Sequence, residues 1–144
     1  MAVPEGTMPL DKTVDLALRE EFCLIGSDGG IESAAHANSH PRGAGCFATA
    51  LARAKSLNIP MEKMLAKMTI LPQKLLRPAL DNRGILATGA AADLVVFDPA
   101  TVNGRASVVN PNQTSAGIDM VVVNGKIAYR GGRLENKNGV AIRR

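Results

Sequence analysis

Aromatic side chains are scarce: one Tyr, three Phe and no Trp in 144 residues. Recognition of nucleic acid by base stacking, which needs exposed aromatic faces, is therefore not expected. The core must be filled by Ala, Leu, Val, Ile and Met, which suits helices packed on strands. Cysteine is equally sparse. Cys23 and Cys46 lack the C-x-x-C spacing of a zinc or redox site, and two thiols make no disulfide framework. The first residues, Met1 to Gly6, have neither a basic n-region nor an apolar h-region, so no secretory signal is visible. No apolar run approaches the roughly 20 residues of a spanning helix. A soluble, reducing, cytoplasmic setting without a membrane partner is the expectation, and Asn112-Gln113-Thr114 is then a coincidental match to a glycosylation acceptor.

Neither sign of charge dominates: 17 Lys and Arg against 13 Asp and Glu leave a net charge of +4. Much of the excess lies late in the sequence, at Lys126, Arg130, Arg133, Lys137, Arg143 and Arg144. A basic tail can hold nucleic acid or an anionic membrane weakly, but its plainer reading is a solvated surface, and no nucleic-acid partner is expected.

The length suits one compact unit with a real core, and the pattern shifts once, near Gly84. Before it, helical spacing dominates. Leu10, Val14, Ala17 and Leu18 predict one apolar helix face within 10–21. Phe22-Cys23-Leu24-Ile25, stopped by Gly26-Ser27-Asp28-Gly29-Gly30, predicts a short strand buried on both faces, as in a parallel sheet. Residues 30–42 read as a loop. Helical spacing resumes at Phe47, Ala50, Leu51, Ala54 and Leu57, and again at Met61, Met64, Leu65 and Met68 behind Pro60, a favoured opening residue. Pro72 and Pro78 are expected to cut the helices short.

After Gly84 the signals are those of strands. Ala92 to Pro99 is a β-branched run closed by a turn. Ile118 to Val123, Asn124-Gly125 and Lys126 to Tyr129 predict a hairpin, because Asn-Gly supplies the two positive φ values of a type I′ turn. Gly131-Gly132 ends its second strand, and the polar tail from Leu134 is expected to fray. A single parallel strand cannot stand without neighbours, so partners for 22–25 are expected from outside this sequence.

Several segments, in order, resemble the end of the amidohydrolase superfamily, in its D-aminoacylase or N-acyl-D-amino-acid deacylase branch. They are Ile25-Gly26-Ser27-Asp28-Gly29; His40-Pro41-Arg42 with Gly45 and Phe47; Met68-Thr69 with Pro72; Arg83-Gly84-Ile85 with Gly89 and Ala92 to Asp98; and Asn110-Pro111 ahead of Gly117-Ile118 and the Val121 to Gly125 hairpin. Ala92 to Asp98 and the Val-Asn-Gly hairpin are common to many amidohydrolases. Ser-Asp-Gly followed by His-Pro-Arg is the narrower signal.

The resemblance implies an α/β fold: the last βα unit of a (β/α)₈ barrel, over 1–84, plus part of a small β-sandwich, over 85–144. A whole barrel takes about 250 residues, so an incomplete barrel is expected. It also implies a metal-dependent hydrolase of linear amides, acting on N-acyl-D-amino acids with zinc in the complete enzyme. Asp28 becomes the last-strand aspartate that meets the metal and the water bound to it, serving as acid and base. Arg42 becomes the anchor for the substrate's α-carboxylate, with His40, Ser27 and Gly29 lining the substrate.

Each residue also has a plainer reading. Asp28 can be an aspartate stabilising a Gly-rich turn, and Arg42 a surface arginine behind a loop proline. His36 and His40 have H-x₃-H spacing, but Pro41 argues for a loop and no third ligand is nearby. Gly43-Ala44-Gly45-Cys46-Phe47-Ala48 fits G-x-G-x-x-A without the preceding strand that a dinucleotide site needs; small residues opening a tightly packed helix explain it. Met61, Met64 and Met68 read as core, and Asp93 and Asp98 as structural. The superfamily's His-x-His pair, its further histidines and its bridging Cys or Lys have no counterpart here, and Cys23, inside the predicted strand, is not placed as that bridge. One aspartate and two loop histidines fall short of a three-ligand site, so the chain alone is expected to bind no zinc and to be inactive, as a fragment or separately encoded subunit. Turnover then depends on the missing barrel segment. The alternative is a non-catalytic, self-associating domain descended from the same family.

Overall fold

The computed structural model describes residues 10–29 and 40–142. Four helices precede a small sheet: α1 (Leu10–Arg19), α2 (Arg42–Ser56), α3 (Met61–Met68) and α4 (Ile70–Leu75), then β1 (Leu94–Phe97), β2 (Ile118–Val123), β3 (Lys126–Arg130) and β4 (Arg133–Leu134). No helix among the described residues is long and apolar enough to cross a membrane.

The core takes only part of the stripes that helical spacing marked: Leu10, Val14 and Phe47 are exposed. Leu18 of α1, Ala48, Leu51 and Ala54 of α2, Met64 of α3 and Val102 form one buried cluster, with Ile25, Leu57, Phe97 and Ile118 packed against it. Small residues let α2 approach the segment beyond β1: Gly45 is buried, and a Cβ there would lie 3.3 Å from that of Ala106. The helix ends where Asn58 turns left-handed at φ 54 and the Ile59 N–H returns to the Ala54 carbonyl at 2.9 Å, a Schellman-type closure. Pro60 then opens α3. Pro72 does not cut a helix short as expected. It is the third residue of α4, in the first turn, where no backbone donor is required.

Residues 22–25 depart from the expected buried strand. They are irregular, and Phe22 is 81% exposed. The Ile25 N–H finds the Lys67 carbonyl at 3.2 Å. Without neighbouring strands the remaining backbone groups have no ladder to join, so apolar content alone cannot make this run a strand. Arg42 is the second correction: it lies in the first turn of α2 rather than in a loop.

The sheet is an antiparallel meander in the order β1-β2-β3-β4. The hairpin forms as expected, with Val123 opposite Lys126 and Asn124 and Gly125 at φ 49 and 76, the left-handed pair of a type I′ turn. Arg83 binds the turn to the start of β1. It pairs with Asp93 and donates to Asn124 Oδ1 at 3.1 Å, while Asp93 Oδ1 accepts from the Asn124 N–H at 2.7 Å.

The tail does not fray at Leu134. Gly131-Gly132 turns into β4, and a strap beyond it returns along β3. Glu135 N–H donates to the Ala128 carbonyl at 2.8 Å, Asn136 Nδ2 to the Ile127 carbonyl at 2.9 Å, and Asn124 Nδ2 to the Asn138 carbonyl at 2.6 Å. Amide side chains supply bonds that a polar composition does not announce.

Asp98 closes the turn after β1. Its carboxylate accepts from the Thr101 hydroxyl at 2.7 Å and the Ala100 N–H at 2.8 Å, and these donors, Thr101 foremost, hold its pKa below the usual carboxylate value. A carboxyl depressed by folding stabilises the fold above its unfolded pKa of about 3.9, and that contribution is lost as pH falls through the lower folded value. Asp98→Asn is therefore expected to lower the melting temperature at neutral pH and to narrow its gap from the parent below about pH 4. Melting curves across that range check it; a gap that widens in acid would contradict the assignment.

Candidate functional site

The sequence-predicted site residues meet where the 22–29 segment approaches the start of α2. Three bonds hold the start of the segment: Cys23 N–H to the Glu20 carbonyl at 3.3 Å, Ile25 N–H to the Lys67 carbonyl, and the Cys46 thiol to the Gly26 carbonyl at 3.6 Å. Burial raises the pKa of Cys46, which keeps it a protonated donor and makes it a poor nucleophile or thiolate ligand. Lys67 is itself buried. Its ammonium donates to the Ala17 carbonyl at 3.4 Å and to the Glu20 carbonyl, so one side chain ties the end of α1 to α3 while its backbone holds Ile25.

At the end of this segment Asp28 sits at φ 46, a left-handed conformation that Asp tolerates better than most residues. The Ser27 hydroxyl accepts from the Gly29 N–H at 3.2 Å. Gly29 passes so close to α2 that a Cβ would stand 2.9 Å from the Gly43 Cα; no larger residue fits without moving one of the two backbones. That approach lets Arg42 Nη2 reach Asp28 Oδ2 at 3.2 Å. His40 precedes the helix, and its Nδ1 accepts from the Arg42 N–H at 3.2 Å.

Asp28, Arg42, His40, Ser27 and Gly29 thus form one constellation. The Asp28 side chain is 88% exposed and that of Arg42 46%, so water screens the pair and it adds little stability. His36 lies outside the described residues. Asp93 and Asp98 stand in turns around β1, in the structural roles expected of them.

An open cleft of about 580 Å³ between α1 and α2 shares His40 and Arg42 with the constellation, and Val14, Leu18, Ile25 and Arg53 are among its other lining residues. Its walls are fixed by features the sequence reading missed. Arg53 grips Asp15 through two bonds, 2.6 and 2.7 Å. The bond from Arg53 holds the Asp15 pKa down, and Asp15 in turn raises that of Arg53. Arg19 donates to the Leu57 carbonyl at 3.0 Å. Such pairs join helices far apart in sequence and carry no local signature. Lys67, set among methionines at helical spacing, gave no hint of its buried role either.

The chemistry open to this arrangement is narrow. A forked guanidinium suits a carboxylate, and an exposed carboxylate can bind a cation or carry a proton. Among the described residues no three His, Cys, Asp or Glu side chains gather into a group able to hold a metal ion. Asp28 and His40 by themselves fall short of the three protein ligands that a zinc site needs.

A protein-family model described as the amidohydrolase family matches residues 22–129, and the chain belongs to that family. Its relatives are of the D-aminoacylase and N-acyl-D-amino-acid deacylase type. Two come from Alcaligenes xylosoxydans xylosoxydans: an N-acyl-D-glutamate deacylase, 40% identical over 128 residues, and a D-aminoacylase, 43% identical over 104. The matches cover 88% and 71% of this chain but only 25% and 20% of those proteins. Among solved structures, the N-acyl-D-glutamate deacylase from Bordetella bronchiseptica, complexed with zinc and a phosphonate mimic of the tetrahedral intermediate, aligns with a TM-score of 0.77 and 34% identity. It covers 95% of this chain and 28% of that one. A D-aminoacylase with a binuclear metal centre aligns at 0.64 and 37%, covering 69% and 21%. The chain thus spans between a fifth and just over a quarter of the proteins it resembles.

Proposed function

We propose that the chain is part of a hydrolase acting on the amide bond of N-acyl-D-amino acids. In this reading 1–84 form the last unit of a (β/α)₈ barrel and 85–144 a share of its β-sandwich. The remaining strands and most metal ligands come from residues outside this chain. The observation that supports the reading is the Asp28–Arg42 pair: a carboxylate and a guanidinium fork, 3.2 Å apart, inside the stretch that matches the family.

Zinc, when held in the complete enzyme, polarises the amide carbonyl and lowers the pKa of a water. Asp28 stands at the end of the segment corresponding to the last barrel strand, where barrel enzymes keep catalytic groups. There its carboxylate holds the proton released from the attacking water and returns it to the leaving amine. Arg42, freed from Asp28 by an incoming carboxylate, orients the substrate through two parallel bonds. His40, Ser27 and Gly29 shape the adjacent wall.

The test compares the chain alone with a chimera in which it replaces the matching quarter of the N-acyl-D-glutamate deacylase, each given zinc and an N-acyl-D-glutamate. Turnover and near-stoichiometric zinc are expected in the chimera and neither in the chain alone. A chimera that folds and binds zinc without turnover would remove the assignment. A second reading, a self-associating domain without catalysis, is favoured by β1, whose Leu94, Val95 and Val96 are exposed at a sheet edge. A silent chimera together with a stable homodimer of the chain would select it.

A further inference from the structure

Three Asn-Gly steps occur in the sequence, at Asn103, Asn124 and Asn138, the dipeptide in which spontaneous deamidation meets the least steric resistance. We propose that the fold protects two of them and leaves Asn138-Gly139 as the modification site, and that reaction there releases the C-terminal strap from the hairpin. In this chemistry the Gly nitrogen attacks the Asn Cγ. A bond forms between that nitrogen and Cγ, the glycine N–H proton passes through solvent to the departing Nδ2, the bond from Cγ to Nδ2 breaks, ammonia leaves, and water opens the cyclic imide to aspartate or its β-linked isomer. The reaction requires a free glycine nitrogen, room for the peptide to rotate, and an unencumbered amide group on the asparagine.

Asn124 has open space at Gly125, as Asn138 has at Gly139, but its reacting groups are held. Its Oδ1 accepts from Arg83 at 3.1 Å, its Nδ2 donates to the Asn138 carbonyl at 2.6 Å, and its own N–H is held by Asp93 at 2.7 Å. The would-be nucleophile, Gly125 N, donates to the Ala92 carbonyl at 2.9 Å. Asn103 is pinned in an antiparallel bridge, donating to Ala116 at 3.3 Å and accepting from it at 2.8 Å. Gly104 beside it is crowded: a Cβ there would fall 2.0 Å from Thr49 Oγ1 and 2.8 Å from the Gly45 carbonyl oxygen. Around Gly139 no atom lies within 4 Å of a Cβ position, its N–H has no partner among the described residues, and Asn138 Nδ2, the departing nitrogen, has none either.

Asn138 Nδ2 is also buried. A carboxylate oxygen formed at that place has no donor to meet it, and its desolvation opposes the bond between Asn138 and Asn124. The inference is independent of the catalytic reading.

The experiment is peptide mapping of the purified protein by mass spectrometry, with isoaspartate detection, after incubation at mildly alkaline pH in buffer and in concentrated urea. Folded, Asn138 is expected to react at least about tenfold faster than Asn103 or Asn124, since Asn124 must first break the bonds to its reacting groups and Asn103 must leave its bridge and the crowding at Gly104. In urea the three should differ little, because the dipeptides are identical. Gly139→Ala should suppress reaction at Asn138 and leave the other two unchanged. Asn103 or Asn124 reacting as fast as Asn138 in the folded protein would overturn the proposal. For strap release, Asn138→Asp should speed tryptic cleavage after Lys137; an unaltered rate would refute that half.

Discussion

Replacing Asp28 by asparagine in the catalytically competent chimera is expected to lower kcat by about 10²–10⁴-fold, the usual contribution of a positioned acid–base group. Asparagine keeps the shape and one acceptor oxygen, so the Gly-rich turn should persist, and the parent side chain is 88% exposed, so no core contact is lost. What disappears is the group that holds a proton between two steps. The effect should therefore fall on kcat, with KM little changed. Arg42→Lys offers the contrast. It keeps the charge and loses the fork, so its damage should appear chiefly in KM for substrates bearing the α-carboxylate. Steady-state kinetics on the parent and both variants check this. Equal losses in KM for the two variants, or a kcat for Asp28→Asn within twofold of the parent, would leave Asp28 as a turn residue.

Met64→Ala should produce the largest loss of stability, about 3 kcal/mol, within the 2–5 kcal/mol typical of truncating a buried large apolar side chain. Met64 is fully buried, with 0% of its surface exposed, and it belongs to the cluster that joins α1, α2 and α3. Truncation removes apolar surface from burial and leaves a cavity that neighbouring helices can only partly fill. Against a total of about 5–15 kcal/mol for a domain, such a loss is severe. Urea denaturation should show a lower midpoint with an unchanged slope; a loss below about 1 kcal/mol would mean that the cluster repacks readily. The site should feel the change too. Lys67, on the same helix as Met64, binds Ile25 through its carbonyl, so loosening α3 loosens the segment that ends in Asp28.

Much of this architecture is legible in the residues themselves. The helices follow apolar spacing because a helix must bury one stripe. The β2–β3 hairpin follows Asn124-Gly125 because two left-handed positions in succession are costly for most other pairs. The segments carrying the family resemblance were readable for the same reason, since Ser27-Asp28-Gly29 and His40-Pro41-Arg42 are local strings. Their joining into one constellation was implied only by that resemblance. In the fold it follows from the close pass of Gly29 over Gly43, a contact between backbones that composition does not reveal.

The failures have one cause as well. Phe22 to Ile25 has the content of a buried strand and is not one here, because a strand is a relation between segments and no strand among the described residues pairs with it. The tail after Leu134 looked polar and loose, yet Asn124 and Asn136 hold it against the hairpin. Lys67 and the Arg53–Asp15 clamp belong to the same group: their partners lie 38 to 50 residues away in sequence. The sequence by itself determined the helices and the hairpin, part of the core stripe, the type I′ turn and the family. The tertiary structure alone decided which polar side chains found partners, whether an apolar run became a strand, and which Asn-Gly step lies open to chemistry. Backbone dihedrals and apolar periodicity act between neighbours a few residues apart, whereas hydrogen-bond satisfaction and burial depend on what the folded protein brings near.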